Sequence, residues 1–404
     1  MVTRVSVLSF LVMLTIGTDT FLVAPLLPTL TSAYGNDPAV SGWMVSAYAV
    51  GYAVLALIAG PISDRLDRGT VLVWGLAAFA VLTGACALAP NFWSMVALRF
   101  AAGVAAAFVT PQIWASIPVL VPGPKILRVM GYATGGLSIA QMVGVPVGSF
   151  LAGWSWHAPF VVLGAIALAL SLVVRIYFPT VPRPAGSSPV GAFGSYRALL
   201  RTPTAVSLFL AYFLFQTGNF TSFSFIGTWL TTSFGLSVVQ VGAAIVPLGA
   251  ASAVGSVFGS RLSNRLGLAN SRRLAIGTVI ALFAVLPFAP NLPVALLFLC
   301  GISLTGGFVF PVFMATMQGL TTGARGTVSA MTNSTMYLGT TVGGVLGGLL
   351  ITRFPGFHGI SIAVIAFLAL SLACFISADR SVARNKKEEA RNVVTEERDP
   401  SRLG

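Results

Sequence analysis

The pentapeptide ISDRL at residues 62–66 returns one half-chain later as LSNRL at 262–266. Each copy closes a glycine-rich apolar run. A second echo follows the same spacing: Gly144 and Gly148 in QMVGVPVGSFLAGW (141–154) are answered by Gly343 and Gly347 in GTTVGGVLGGLLI (339–351). Repetition on this scale predicts two related halves, a common plan of membrane transporters.

The composition between the echoes places both halves in lipid. The chain has 404 residues, of which 56% are hydrophobic and only 8% charged, with a mean hydropathy of +0.90. A soluble domain carries roughly 25% charged residues. Only helices and closed barrels satisfy their backbone hydrogen bonds in a bilayer, and long apolar runs rather than alternating ten-residue segments select helices.

Runs of about 20 residues, long enough to span, fall near 5–30, 40–62, 70–89, 92–116, 128–152 and 158–178, then near 204–231, 238–262, 272–289, 293–319, 325–351 and 357–377. The expected fold is therefore all-α and integral to the membrane, with about twelve spans in two pseudo-symmetric six-helix halves. Residues 1–178 form the N-terminal half, 179–203 a linker rich in Pro, Gly, Ser and Arg, 204–377 the C-terminal half, and 378–404 a charged tail without apolar period. The first run reads as a span and not as a cleaved signal, since no small-residue cleavage site follows it cleanly.

Charge orients the bundle. One side of this map collects Arg4, Arg65, Arg68, Lys125, Arg128, Arg175, Arg183, Arg197, Arg201, Arg261, Arg265, Arg272, Arg273, Arg325 and the basic residues of the tail. The other side receives only Arg353. The positive-inside bias then puts both termini and the linker in the cytoplasm, as in a bacterial inner membrane. The same bias accounts for the net charge of +13, so no nucleic-acid partner is expected. Cys86, Cys300 and Cys374 fall inside spans, where a thiol acts as a small apolar residue. His157 and His358 sit in separate outer loops, so no metal site is expected.

GPISDRLDR (60–68) resembles the signature loop between the second and third helices of the major facilitator superfamily. LRFAAGVAAA (98–107) is similar to that superfamily's fourth-helix motif with its intramembrane arginine. GVPVGSFLAG (144–153) and TDTFLVAPLLP (18–28) are similar to the fifth- and first-helix motifs of its twelve-helix drug:proton antiporter branch. The resemblance covers residues 4 to about 377. It implies a monomeric multidrug exporter conferring antibiotic resistance, driven by the proton gradient, with no cofactor.

Of the ten acidic residues, all but Asp19 lie in loops or the tail on this map. A charge at membrane depth costs about 2.5–3.5 kcal/mol on insertion scales and marks a functional candidate. Arg99 is the basic residue deepest in a span. At 1.5 Å per residue the two lie about 16 Å and about 10 Å from the outer surface, a difference that an extended arginine spans. Asp19 and Arg99 are therefore the expected proton-coupling pair. Protonation of Asp19 would loosen its hold on Arg99 or on a cationic substrate and bias the inward-open and outward-open states differently.

By the same resemblance, Gly60, Asp64, Arg65 and Arg68 form a conformational latch, with Asp64 facing the start of the eleventh span near Arg325. Asn264 replaces the acid in the second copy, so the latch is expected to be asymmetric. Gly144, Pro146 and Gly148 are expected to bend the fifth span and bring it close to the eighth. Gln112, Trp114, Gln141, Gln216, Asn219, Phe220, Gln318, Asn333 and Tyr337 are candidates for a mostly apolar substrate cavity with a few hydrogen-bonding groups.

Other classes lack their chemistry. No nucleotide-binding P-loop of the G-x-x-x-x-G-K-[ST] kind is present, and a membrane enzyme would need paired acids or a nucleophile with a base inside the spans. The expectation is proton-coupled efflux of amphiphilic or weakly polar small molecules. Efflux of a sugar, nucleoside or other metabolite, and proton-coupled uptake, remain the alternatives.

Overall fold

Helices that are apolar on all sides need explicit stops, and three of the described helices begin at a polar side-chain cap. A computed structural model describes residues 1–36, 43–181, 194–236, 238–321, 324–354 and 356–397. In the first half α1 (Val2–Tyr34), α2 (Trp43–Arg65), α3 (Arg68–Cys86), α4 (Phe92–Ala107), α5 (Thr110–Leu120), α6 (Ile126–Ile139), α7 (Val145–Trp154) and α8 (Ala158–Tyr177) follow in order. A short helix, α9 (Gly194–Leu200), leads into the second half. There α10 (Pro203–Phe223), α11 (Ile226–Phe234), α12 (Val238–Phe258), α13 (Ser260–Val285), α14 (Leu292–Gln318), α15 (Arg325–Arg353) and α16 (His358–Glu397) complete the chain.

The caps repeat with the halves. Asn91 accepts from the backbone N–H of Ser94 at 2.9 Å at the start of α4, and Asn291 accepts from Val294 at 3.1 Å at the start of α14. Asp67 caps α3 by accepting from the Thr70 N–H at 2.7 Å. Each side chain satisfies a backbone donor that the first turn leaves open. Gly267, with φ 75°, breaks the run of α13 and separates the eighth span from the ninth.

Nine helical stretches among the described residues are long and apolar enough to cross a membrane. Of the three other expected spans, the second is the helix α2, whose side chains are described without a gap over the apolar stretch Trp43–Ala56, and the other two are interrupted. The fifth span is divided into α6 and α7 by a π-helical turn at Ala140–Gly144. The seventh breaks after α10, whose end carries Gln216, Thr217, Asn219, Thr221 and Ser222.

Packing repeats as the sequence does. In the first half α1 lies on α6, α2 on α4 and α3 on α8; in the second, α10 lies on α15, α12 on α14 and α13 on α16. The halves meet where α2 packs on α15 and where α6 packs on α12 and α14. The α6 contacts lie toward the face on which α1 begins, called here the basic face. Gly131 of α6 has no room for a Cβ against the Ser256 carbonyl of α12, and Ser138 and Ser252 share a hydrogen bond of 2.9 Å. Asn264 donates to the Pro124 carbonyl of the other half at 3.3 Å.

α16 continues to Glu397, through residues whose sequence is that of a disordered or loosely helical tail. Its Ala, Arg, Lys and Glu content consists of good helix formers, with opposite charges spaced to pair along the helix.

Candidate functional site

α1 and α4 bring Asp19 and Arg99 together at the middle of the first half. Arg99 Nη1 donates to both carboxylate oxygens of Asp19, at 2.9 Å to Oδ1 and 2.8 Å to Oδ2. The side chains are 0% and 1% exposed, respectively. The guanidinium also lies 4.6 Å from the centre of the Tyr48 ring and donates from Nε to the Met44 carbonyl at 3.4 Å. Arg99 is thus held by two elements, α1 and α2, and spends its charge on one acid. Its counterpart in the second half, at the same distance past the capping asparagine, is the buried Leu299. The charged pair therefore belongs to one half only.

Tyr48 and Tyr52 on α2, one turn apart, connect this pair to the second half. The Tyr52 ring lies 4.6 Å from that of Tyr337 on α15, and one turn away Ser334 donates to the Ala53 carbonyl at 3.3 Å. Thr20 stands beside the phenols of Tyr48 and Tyr337, and Thr110 beside that of Tyr52. The hydroxyls of Tyr48, Tyr52 and Thr110 are buried and close no hydrogen bond. Gln216 on α10 donates to the Tyr212 hydroxyl at 3.3 Å.

Over residues 9–340 the chain matches the family model described as Major Facilitator Superfamily. The chain belongs to the major facilitator superfamily. It is 46% identical over 386 residues to the "Uncharacterized MFS-type transporter YceJ" of Bacillus subtilis, covering 95% of this chain and 97% of that protein. Two further relatives are a "Chloramphenicol resistance protein" of Streptomyces lividans, 29% identical over 62% of this chain and 64% of its own length, and a "Probable sugar efflux transporter" of Helicobacter pylori, 25% identical over 89% and 92%. The fold is shared with the human organic anion transporter MFSD10, at a TM-score of 0.78 and 20% identity over 93% of this chain and 99% of that one. It is shared as well with the transporter FucP in the outward conformation, at 0.77 and 16% over 93% and 98%.

As a major facilitator, the protein is a multi-pass membrane transporter of small molecules and not an enzyme. Its halves treat the predicted site residues differently. Tyr337 joins the central cluster, and Gln216 reaches Tyr212 beside it. Gln112 is fully buried, with both amide atoms unpaired. Gln141 falls in the π turn, and Asn219 and Phe220 are half-buried on α10. Trp114 is buried with its ring 5.9 Å from Phe310 of the other half, so it packs the seam rather than lining an open space.

The amide donors of Gln318 and Asn333 are engaged within the framework. Gln318 Nε2 donates to Ser329 Oγ at 2.5 Å and so ties α14 to α15 near the basic face. Asn333 donates to the Ser329 carbonyl of its own helix at 2.9 Å, a local route by which a polar side chain is satisfied inside a span.

The two glycines of the fifth-span motif face the first span. Cβ atoms on Gly144 and Gly148 would collide with Thr18 and Leu22 of α1, in the same half. The eighth span is approached by Gly131 and Gly135, against Ser256 and Val257 of α12, and by Met142 of the π turn, against Gly249. The side chain of Pro146 lies outside the described residues.

Of the latch, Arg68 is described, whereas Gly60 and the side chains of Asp64 and Arg65 lie outside the described residues. Arg68 is 5% exposed and donates from Nη1 to the Ala115 carbonyl at 3.0 Å, tying α3 to α5. Arg272 repeats that reach in the second half, from α13 to Thr316 Oγ1 of α14 at 2.6 Å. It also donates to Asp379 Oδ1 at 2.6 Å, and Arg273 donates to Asp379 Oδ2 at 3.2 Å. Sequence reasoning had missed Tyr48, Tyr52, Thr110 and the Arg272–Asp379 pair. The signal for the tyrosines is their place at mid-span, far from the interfacial belts where tyrosine usually collects.

Proposed function

We propose that this transporter is a proton-coupled efflux antiporter, exporting weakly polar small molecules by alternating access, with Asp19 carrying the proton. The single observation that carries the reading is the buried Asp19–Arg99 pair. Asp19 is the one carboxylate among the described residues that lies deep inside a span. The titratable and charged groups around it are Arg99 and Cys86 in its own half, Tyr48 on α2 and Tyr337 on α15. A proton arriving on Asp19 removes one of the two charges that hold the pair, frees the guanidinium, and disturbs Tyr48 at the seam with the second half. Substrate and proton then favour opposite arrangements of one contact, which is what exchange requires.

The basic face is assigned to the cytoplasm, with both termini there. The halves are held together on that side by Ser138 with Ser252 and Asn264 with Pro124, which corresponds to an outward-open state. The Asp64 latch acts on the same face. The chloramphenicol-resistance relative supports drug export, and the sugar-efflux relatives, aligned over more of the chain, support export of a polyhydroxylated metabolite as a second reading.

Proteoliposomes with a preset pH gradient test the direction. Vesicles with an acid interior that accumulate labelled chloramphenicol or a labelled sugar, and lose it when the gradient collapses, fit antiport. Accumulation in vesicles with an alkaline interior instead identifies a symporter and overturns the proposal.

A further inference from the structure

Taking Asp19 as the proton site, as proposed above, the remaining groups at the seam define what the site can hold. Both oxygens of Asp19 are occupied by Arg99, so with the acid ionised the charged pair is neutral as a whole. A cation entering here meets a carboxylate already opposed by a guanidinium, and an anion meets a guanidinium already opposed by a carboxylate. Either ion would be buried without a free partner, which a low-dielectric site disfavours strongly. Protonating Asp19 leaves the excess positive charge of Arg99, which repels cations further.

What the site leaves unsatisfied is neutral. Tyr48 is 2% exposed, Tyr52 1% and Thr110 6%; Thr20 stands beside the Tyr48 hydroxyl and Thr110 beside that of Tyr52, in geometries that close no hydrogen bond. Each can donate and accept. A buried polar group without a partner is costly, and a bound molecule with matching groups relieves that cost. The three come from α2 and the start of α5, while the Tyr337 ring, 4.6 Å from that of Tyr52, adds a wall from the other half. A molecule bound there touches both halves at a contact that must change between access states.

We infer that the substrate is an uncharged molecule bearing hydroxyl or amide groups, held by the hydroxyls of Tyr48, Tyr52 and Thr110 at the α2–α15 seam, and that organic cations are excluded by the Asp19–Arg99 pair. An aryl amide and a sugar share this chemistry, and the two neutral probes below separate them.

Equilibrium binding to the purified full-length protein in detergent tests the inference with four probes: chloramphenicol, isopropyl thiogalactoside, tetraphenylphosphonium and salicylate. At least one neutral probe is expected to bind about tenfold or more tightly than either ion. Tyr52→Phe, Tyr48→Phe and Thr110→Val delete single hydroxyls and keep the ring or branch, so thermal stability reports the fold separately. Each is expected to weaken the neutral probe by about five- to tenfold, the worth of one hydrogen bond. Binding of either ion as tightly as the neutral probes, absence of binding by both neutral probes, or unchanged affinity in all three variants overturns it. The antiport reading fails separately: a neutral probe that binds, yet accumulates only in vesicles with an alkaline interior, refutes antiport and leaves this assignment standing.

Discussion

Arg99 makes both of its hydrogen bonds with Asp19 from a single nitrogen, at 2.9 and 2.8 Å, and neither side chain reaches solvent. Breaking a buried pair by removing one partner costs about 3–5 kcal/mol, whereas replacing both partners with apolar residues is often neutral or stabilising. Asp19→Asn and Arg99→Leu should therefore each lower the melting temperature, and the double variant should recover much of the loss. Leu299 already fills the equivalent position in the second half. Thermal unfolding of the four proteins in detergent checks this; a double variant less stable than both singles contradicts it.

Ser138 and Ser252 bring their hydroxyl oxygens to 2.9 Å across the two halves. Cysteines at both positions should crosslink under mild oxidation, which closes a sulfur–sulfur bond of about 2.05 Å. Transport should stop and return on reduction. Rapid crosslinking without loss of transport would mean that this seam does not open during the cycle.

Gly131 faces the Ser256 carbonyl with no room for a Cβ. Gly131→Val should hold the basic face apart and increase labelling of Ser252→Cys by a soluble maleimide. Overpacking at such a site costs about 1–3 kcal/mol. Unchanged labelling would place the closure elsewhere.

Asp379 holds Arg272, which is 3% exposed, and Arg273 together, and Arg272 in turn reaches Thr316 on α14. Asp379→Asn should destabilise the second half, because the buried guanidinium loses its counter-charge, while Arg273→Gln, on an exposed side chain, should change stability by less than about 1 kcal/mol. Melting curves of the two variants decide between this order and the reverse.

Much of this was legible in the chain because charge is so scarce in it. An acid and an arginine inside apolar runs mark themselves, and simple depth along two helices brings them within reach of each other. The repeat of ISDRL as LSNRL likewise anticipates the paired packing of the two halves. Rotational phase was not legible: α7 is apolar on every side, so nothing in GVPVGSFLAG says whether Gly144 and Gly148 face α1 or α12. Polar residues misled for a related reason. Gln318 and Asn333 look like cavity groups, yet the amide nitrogen of each is taken up locally, by a neighbouring serine or the carbonyl one turn back, while Gln318 Oε1 stays unpaired. Asp379 lies past the end of the last apolar run, where hydropathy stops being informative and only the three-dimensional approach of α13 reveals its partners.

The central claim is that Asp19 carries the proton that exchanges for substrate. Substrate-triggered proton release from proteoliposomes, measured with a pH-sensitive dye for the wild type and for Asp19→Asn, tests it most directly. The account predicts release on addition of a neutral substrate by the wild type and none by the variant, with the variant still binding the substrate. Equal release by both proteins would contradict it and leave Asp19 as a structural partner of Arg99.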